Sequence, residues 1–163
     1  MLETRIMQTA AQVLDAHWDG NVPVNPIKIA AAMGIRVRVD DLMGESGTIE
    51  LTDDGPLIFY KGTEIQERRR FTVAHEIGHF ALGHLKPGAT KCRDFTSNFS
   101  SHSVNLEERE ANSFAAQLLM PAKVVKFMVT ENGITNFQVL AEKFGVSQVA
   151  MKYRLNNMGL VNA

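Results

Sequence analysis

Residues 71–84 read FTVAHEIGHFALGH, and the spacing of their polar members decides how the rest of the chain is read. His75 and His79 lie four residues apart with Glu76 directly after the first. In an α-helix, residues four apart stand one turn above one another on the same side, so both imidazoles can face one point. Glu76 then lies about 100° round the helix, near enough to act on a water at that point but awkward as a ligand to it. Two nitrogen donors beside a carboxylate base form the H-E-x-x-H arrangement of zinc hydrolases. The pentamer is short, and a helix with two hydrogen-bonded histidines at its apolar edge is the bland alternative. Ala74, Ile77, Gly78 and Ala81 form an apolar stripe beside the pair, which places the histidines at the rim of a buried face rather than in open solvent.

A metal site of this type needs a third protein ligand and an open position. His84 is displaced by one residue from the H-E-x-x-H-x-x-G-x-x-H spacing and, on a continuous helix, points about 140° from His79. It is therefore expected to orient or cap rather than to ligate. The better source is the helix predicted from Asn105 to Pro121, which carries Glu107, Glu108 and Glu110. Ala111, Phe114, Ala115, Leu118 and Leu119 mark its buried face. Glu107 and Glu108 each fall about 50° from the centre of that face and Glu110 about 110° away. Periodicity sets Glu110 aside and leaves the other two open. Asn112, one turn after Glu108, is read either as a partner that orients a ligand or as a polar rim residue.

Outward from these helices the chain reads as α+β. An amphipathic helix is predicted over 3–18 and a short one after Asn25, with Pro26 at its first position and Gly34 as its stop. Three strands follow, at 36–41, 47–53 and 56–61; "DDG" at 53–55 joins the last two, and the expected sheet is antiparallel. Thr63 and Gln66 suggest a capping box for a helix over about 64–83. Residues 86–103 lack periodicity and are expected to form a loop. After Pro121 come a helix ending near Gly133 and a pair meeting at "FGVS", where Gly145 stops one helix and Ser147 caps the next.

At 163 residues, with 45% hydrophobic and 21% charged residues and a net charge of −1, the chain has the composition of an ordinary globular protein with no global attraction to nucleic acid or membrane. The first residues show no basic segment followed by an apolar core, and no apolar run is long enough to span a bilayer. Cys92 is the single cysteine, in keeping with a reducing cytoplasm.

Two blocks together, RFTVAHEIGHFALGH and EREANSFAAQLLMP, resemble the ImmA/IrrE family of metallo-endopeptidases. The second block, E-x-x-A-N-x-F-A-x-x-L-L-M-P from Glu108 to Pro121, is the more specific. The resemblance extends from "NPIKIAAAMGI" to "FGVSQVAMKYRL". It implies Glu108 as third ligand beside His75 and His79, Zn²⁺ as the metal and Glu76 as the catalytic base. It also implies a mainly helical, zincin-like domain with a small three-stranded antiparallel sheet over 1–133, and a helix-turn-helix-like pair packed on it over 134–163. The implied substrate is a protein, typically a helix-turn-helix repressor of a phage, mobile element or stress operon. Because the chain begins close to the peptidase region, that repressor is expected to be a separate protein. Two alternatives are a toxin neutralised by an antitoxin partner, and a non-catalytic regulator acting through the C-terminal pair. Residues 138–160 carry Lys143, Lys152 and Arg154 against Glu142, too little charge to make direct nucleic-acid binding the first expectation. Arg68, Arg69 and Arg70 are read as a solvated face or as salt-bridge donors. Tyr60, Tyr153, His84 and His102 are the candidates to stabilise an oxyanion.

Overall fold

The computed structural model describes residues 7–86, 90–93 and 106–160. In chain order the elements are α1 (Ala10–His17), α2 (Pro26–Ala32), β1 (Arg36–Val39), β2 (Gly47–Thr52), β3 (Gly55–Tyr60), α3 (Gln66–Ala81), β4 (Thr90–Arg93), α4 (Leu106–Leu119), α5 (Ala122–Thr130), α6 (Phe137–Phe144) and α7 (Gln148–Asn157). The α+β class is as expected. The first helix starts at Ala10 behind a Thr9 cap, later than the expected residue 3, and of the expected elements residues 3–6, 87–89 and 94–105, with His102 and Asn105, fall outside the described residues.

The sheet departs from the antiparallel expectation in two ways. It is mixed, in the order β1-β3-β2-β4, with β1 parallel to β3 and both β3 and β4 antiparallel to β2. The hairpin at Asp53–Asp54 forms as expected, closed by the Thr52↔Gly55 pair and by a 2.6 Å bond from Thr52 Oγ1 to the Gly55 carbonyl. The connection over 40–46, however, carries the chain past one strand position, so β3 rather than β2 lies against β1. Alternation reports which face of a strand is buried and not which strand is its neighbour. β3 is the most continuously apolar of the three, and coverage on both edges suits it. The fourth strand, β4, lies inside the segment expected to be loop; its four residues are too few to show a period.

α3 is the central element. It packs most extensively on α4 and also meets β2, β3, β4 and α2. Every residue from Phe71 to His79 is buried, which is more than the one-sided stripe expected. Its start also differs: Ile65 is the N-cap and no side chain caps the helix, so the Thr63–Gln66 box does not form. Glu64 instead accepts from Arg68 Nε at 2.6 Å, which draws the first turn together.

α6 ends on Gly145 in the left-handed conformation (φ 63°), open to glycine at no steric cost, and Ser147 accepts from the Ala150 N–H to start α7. The helical pair is thus present with the predicted punctuation, but its helix-turn-helix character is not established by this geometry. It packs on the rest of the protein. Arg70 of α3 donates to the carbonyls of Phe144, Gly145 and Val24, and Arg154 donates to the Met120 carbonyl at 3.1 Å. Leu140, Phe144, Met151 and Leu155 join the core. Among the described residues, no helix is long and apolar enough to cross a membrane.

Candidate metal centre

α3 and α4 cross closely enough for their polar side chains to meet. The reason is Gly78, between the two histidines. A Cβ placed there would lie 3.0 Å from Phe114 Cδ1 and 3.1 Å from Phe114 Cβ. A mid-helix glycine costs roughly 0.5–1 kcal/mol relative to alanine, so its presence at such a position asks for a packing reason. That was the available sequence signal for a contact the motif itself does not reveal.

Across this contact, His75 Nε2 lies 3.0 Å from Glu108 Oε2, His79 Nε2 lies 3.0 Å from Glu108 Oε1, and the two imidazole Nε2 atoms are 3.1 Å apart. His75 and His79 are 1% and 0% exposed. Of the three glutamates on α4, only Glu108 enters this cluster. Glu107 and Glu110 are more exposed, and each reaches His84 at 3.8 Å. Burial tends to raise the Glu108 carboxyl pKa. Hydrogen bonds from His75 and His79, with their coulombic attraction, outweigh that and hold it well below the usual carboxylate range.

The far side of each ring is also held. His75 Nδ1 meets Asn112 Oδ1 at 2.8 Å, and His79 Nδ1 meets His84 Nδ1 at 2.9 Å. An amide oxygen only accepts, so Nδ1 of His75 carries the proton and a neutral ring presents a lone pair at Nε2. That lone pair faces the Glu108 carboxylate. Two acceptors at this separation repel unless a positive centre serves both, either an added proton or a metal ion. Tetrahedral coordination with bonds of about 2.0–2.1 Å sets ligand atoms about 3.3 Å apart, close to the separations found here. His75, His79 and Glu108 form the cluster of potential metal donors among the described residues, and they fit a divalent ion. His84 is not in it. α3 ends at Ala81 and the chain turns through Gly83, so His84 returns to touch the back of His79 rather than joining the donors.

Glu76, fully buried, stands on the sheet side of α3. A Cβ at Gly47, the first residue of β2, would lie 2.4 Å from Thr72 Cγ2 and 3.8 Å from Glu76 Cγ, so Glu76 sits beneath the start of that strand. The remaining sequence candidates are dispersed. Tyr60 lines a cleft with Arg69 and Val73, and Tyr153 lines another with Asn112 and Arg109.

Comparison with known proteins follows this geometry. The family model described as peptidase M78, the IrrE N-terminal-like domain, matches residues 30–156. The chain belongs to this family. The matched span contains His75, Glu76, His79 and Glu108, and it runs on through α6 and most of α7. The family is a peptidase family by its name, and the His75, His79 and Glu108 donor set is of the kind a metallopeptidase uses. Among solved structures, this IrrE N-terminal-like domain is similar to a Mycobacterium tuberculosis transcriptional regulator, with 20% sequence identity and a TM-score of 0.55. The alignment covers 80% of this chain and 40% of that one, and at this identity the likeness shows shared fold alone. No curated protein matches the chain at a significant level.

Asn112 offers the first test of this arrangement. Partners that fix the outer nitrogen of a ligating histidine typically contribute about 10–100-fold to metal affinity. Asn112→Ala is expected to weaken metal binding by about that factor, measured by competition with a chromophoric chelator. Unchanged affinity would assign Asn112 to the rim.

Proposed function

We propose that the protein is a zinc-dependent endopeptidase acting on a protein substrate, with a helix-turn-helix repressor as the substrate class and the cytoplasm as its location. The observation that supports this most directly is the convergence of His75 Nε2, His79 Nε2 and Glu108 within 3.0–3.1 Å, from two helices about thirty residues apart in sequence. In this reading His75, His79 and Glu108 hold the metal. When bound, zinc lowers the pKa of a coordinated water toward neutrality and polarises the scissile carbonyl. Glu76 takes the proton from the attacking water and returns it to the leaving amine. Asn112 and His84 keep the two rings in the orientation and tautomer that present Nε2. β4 is an edge of the sheet among the described residues, and it packs on α3. An extended substrate segment adding there would pass over the helix that carries the site. The proposal divides the chain into a peptidase part to residue 133 and a C-terminal helical part after it.

A second reading, a non-catalytic regulator acting through α6 and α7, is in keeping with the name of the M. tuberculosis neighbour. The intact donor set and base favour the peptidase.

The test is metal dependence. Protein purified and dialysed without added metal is expected to retain about one zinc per chain, as in closely held three-ligand sites. Incubated with a substrate repressor, it is expected to lose cleavage on chelation and recover it with one equivalent of zinc. Folded protein that holds no stoichiometric metal, or cleavage indifferent to chelation, would sink the proposal.

A further inference from the structure

Three consecutive arginines occupy the first turns of α3, and the metal site uses none of them. Steps of about 100° along a helix send successive side chains to different walls. Arg68 goes to Glu64 and to Ser46 Oγ, at 2.6 Å and 3.2–3.3 Å. Arg70 is taken up by the carbonyls of Val24, Phe144 and Gly145. Arg69 is different. Its Nη1 reaches the Gly62 carbonyl only at 3.4 Å, and its Nε is buried with no acceptor among the described residues. Nε itself is closed off, so what Arg69 offers a ligand is the Nη end of its guanidinium, held among the described residues by that one long bond, and an anion is the partner whose geometry suits it best.

Arg69 lines a cavity of about 250 Å³ between α2, the end of β3 and α3. Arg70 adds a second positive charge to its wall, while Tyr60 and Gln66 add a hydroxyl and an amide. Among the described residues, no carboxylate lines it. Ile27 and Val73 supply an apolar side. The volume lies just under the roughly 300–1,000 Å³ of pockets for drug-sized ligands, so an occupant is small. It is nevertheless more room than an isolated anion needs. Arg69 precedes His75 by six residues, which is about 9 Å along the helix axis and about 120° away around it. The cavity is therefore separate from the metal centre.

We propose that this cavity binds a small organic anion, a phosphate or carboxylate carried on a single ring or an apolar body of similar size, with Arg69 as the principal anion contact and the Ile27–Val73 side covering the body.

The test uses the full chain, metal-free and zinc-loaded, titrated calorimetrically with phenyl phosphate, benzoate and inorganic phosphate. One of the two ring-bearing anions is expected to bind saturably at one per chain, tighter than inorganic phosphate, and equally in both metal states; which one binds decides between phosphate and carboxylate. Arg69→Gln is expected to weaken it at least about tenfold, the scale of losing a charge-assisted contact. Ile27→Trp, at a partly exposed position of α2, puts a larger side chain into the cavity while leaving Arg69 in place, and is expected to weaken binding at least about tenfold while leaving Tm unchanged. The proposal is overturned if neither ring-bearing anion saturates at millimolar concentration, if binding appears only with zinc, or if folded Arg69→Gln binds as wild type. Should Arg69→Gln fail to fold, unchanged affinity in Ile27→Trp overturns it.

Discussion

Glu76→Gln is expected to lower hydrolysis by about 10²–10⁴-fold, the usual contribution of general acid–base catalysis, while zinc content stays at the wild-type level. The two halves of this result have separate physical origins. Glu76 is not among the three donors that meet between α3 and α4, so removing its charge leaves the metal's ligands in place. Glutamine has the same shape as glutamate, so the side chain keeps its place beside Gly47 at the start of β2 and packing is not disturbed. What is lost is the basic oxygen. An amide cannot accept the proton of an attacking water at neutral pH, nor pass it on to the leaving amine. The measurement is single-turnover cleavage of a repressor substrate alongside metal analysis of the same preparation. A wild-type rate would remove Glu76 from the mechanism. Loss of zinc together with activity would instead make Glu76 a support of the site, and the division of roles along α3 would be wrong.

How much of this arrangement was legible beforehand follows from the range over which each signal acts. The helical positions of His75, Glu76 and His79 are local facts, fixed by about 100° per residue, and spacing alone places them correctly relative to one another. The same is true of Asn25 before α2, of the turn at Asp53–Asp54 and of Gly145–Ser147 between α6 and α7. Glu108 was not local. Periodicity narrowed three glutamates to two, because two adjacent residues straddle the buried face equally. The family pattern implied Glu108, and the packing of α4 on α3 at Gly78 brings that residue, rather than Glu107, to the histidines. Strand order was the least legible feature. The pairing of β1 with β3 is a choice between edges made by tertiary packing, and no alternation within a strand encodes it. The depth of burial of α3 was likewise hidden. An apolar stripe beside the histidines placed them at the rim of a buried face, whereas His75, Glu76 and His79 are fully enclosed in a helix that packs on both the sheet and α4.

Glu108→Ala is expected to abolish stoichiometric zinc binding, with a fall in affinity exceeding the roughly 10–100-fold typical of losing an outer partner such as Asn112. Two imidazoles on one helix remain in that variant, but they are a weaker and more open chelate, and the carboxylate that spans both Nε2 atoms is gone. The loss is readable without any substrate. Wild-type protein is expected to gain about 2.7 kcal/mol of stability when zinc is present at a hundred times its Kd, seen as a rise in Tm, since a ligand that binds only the folded state stabilises it by mass action. Glu108→Ala is expected to show no such rise. Its metal-free Tm should also fall below that of metal-free wild type, because without the metal an added proton lets the carboxylate accept from the buried imidazoles, and alanine removes that acceptor. Glu107→Ala and Glu110→Ala are the matched controls. They remove the same charge from the same helix at less buried positions that come to 3.8 Å from His84 and stand outside the donor cluster, and each should keep its zinc and stay within about 0.5 kcal/mol of wild type. A zinc-dependent rise in Glu108→Ala equal to the controls would place the third ligand elsewhere, and with it the closure of α4 over α3 would lose its functional meaning.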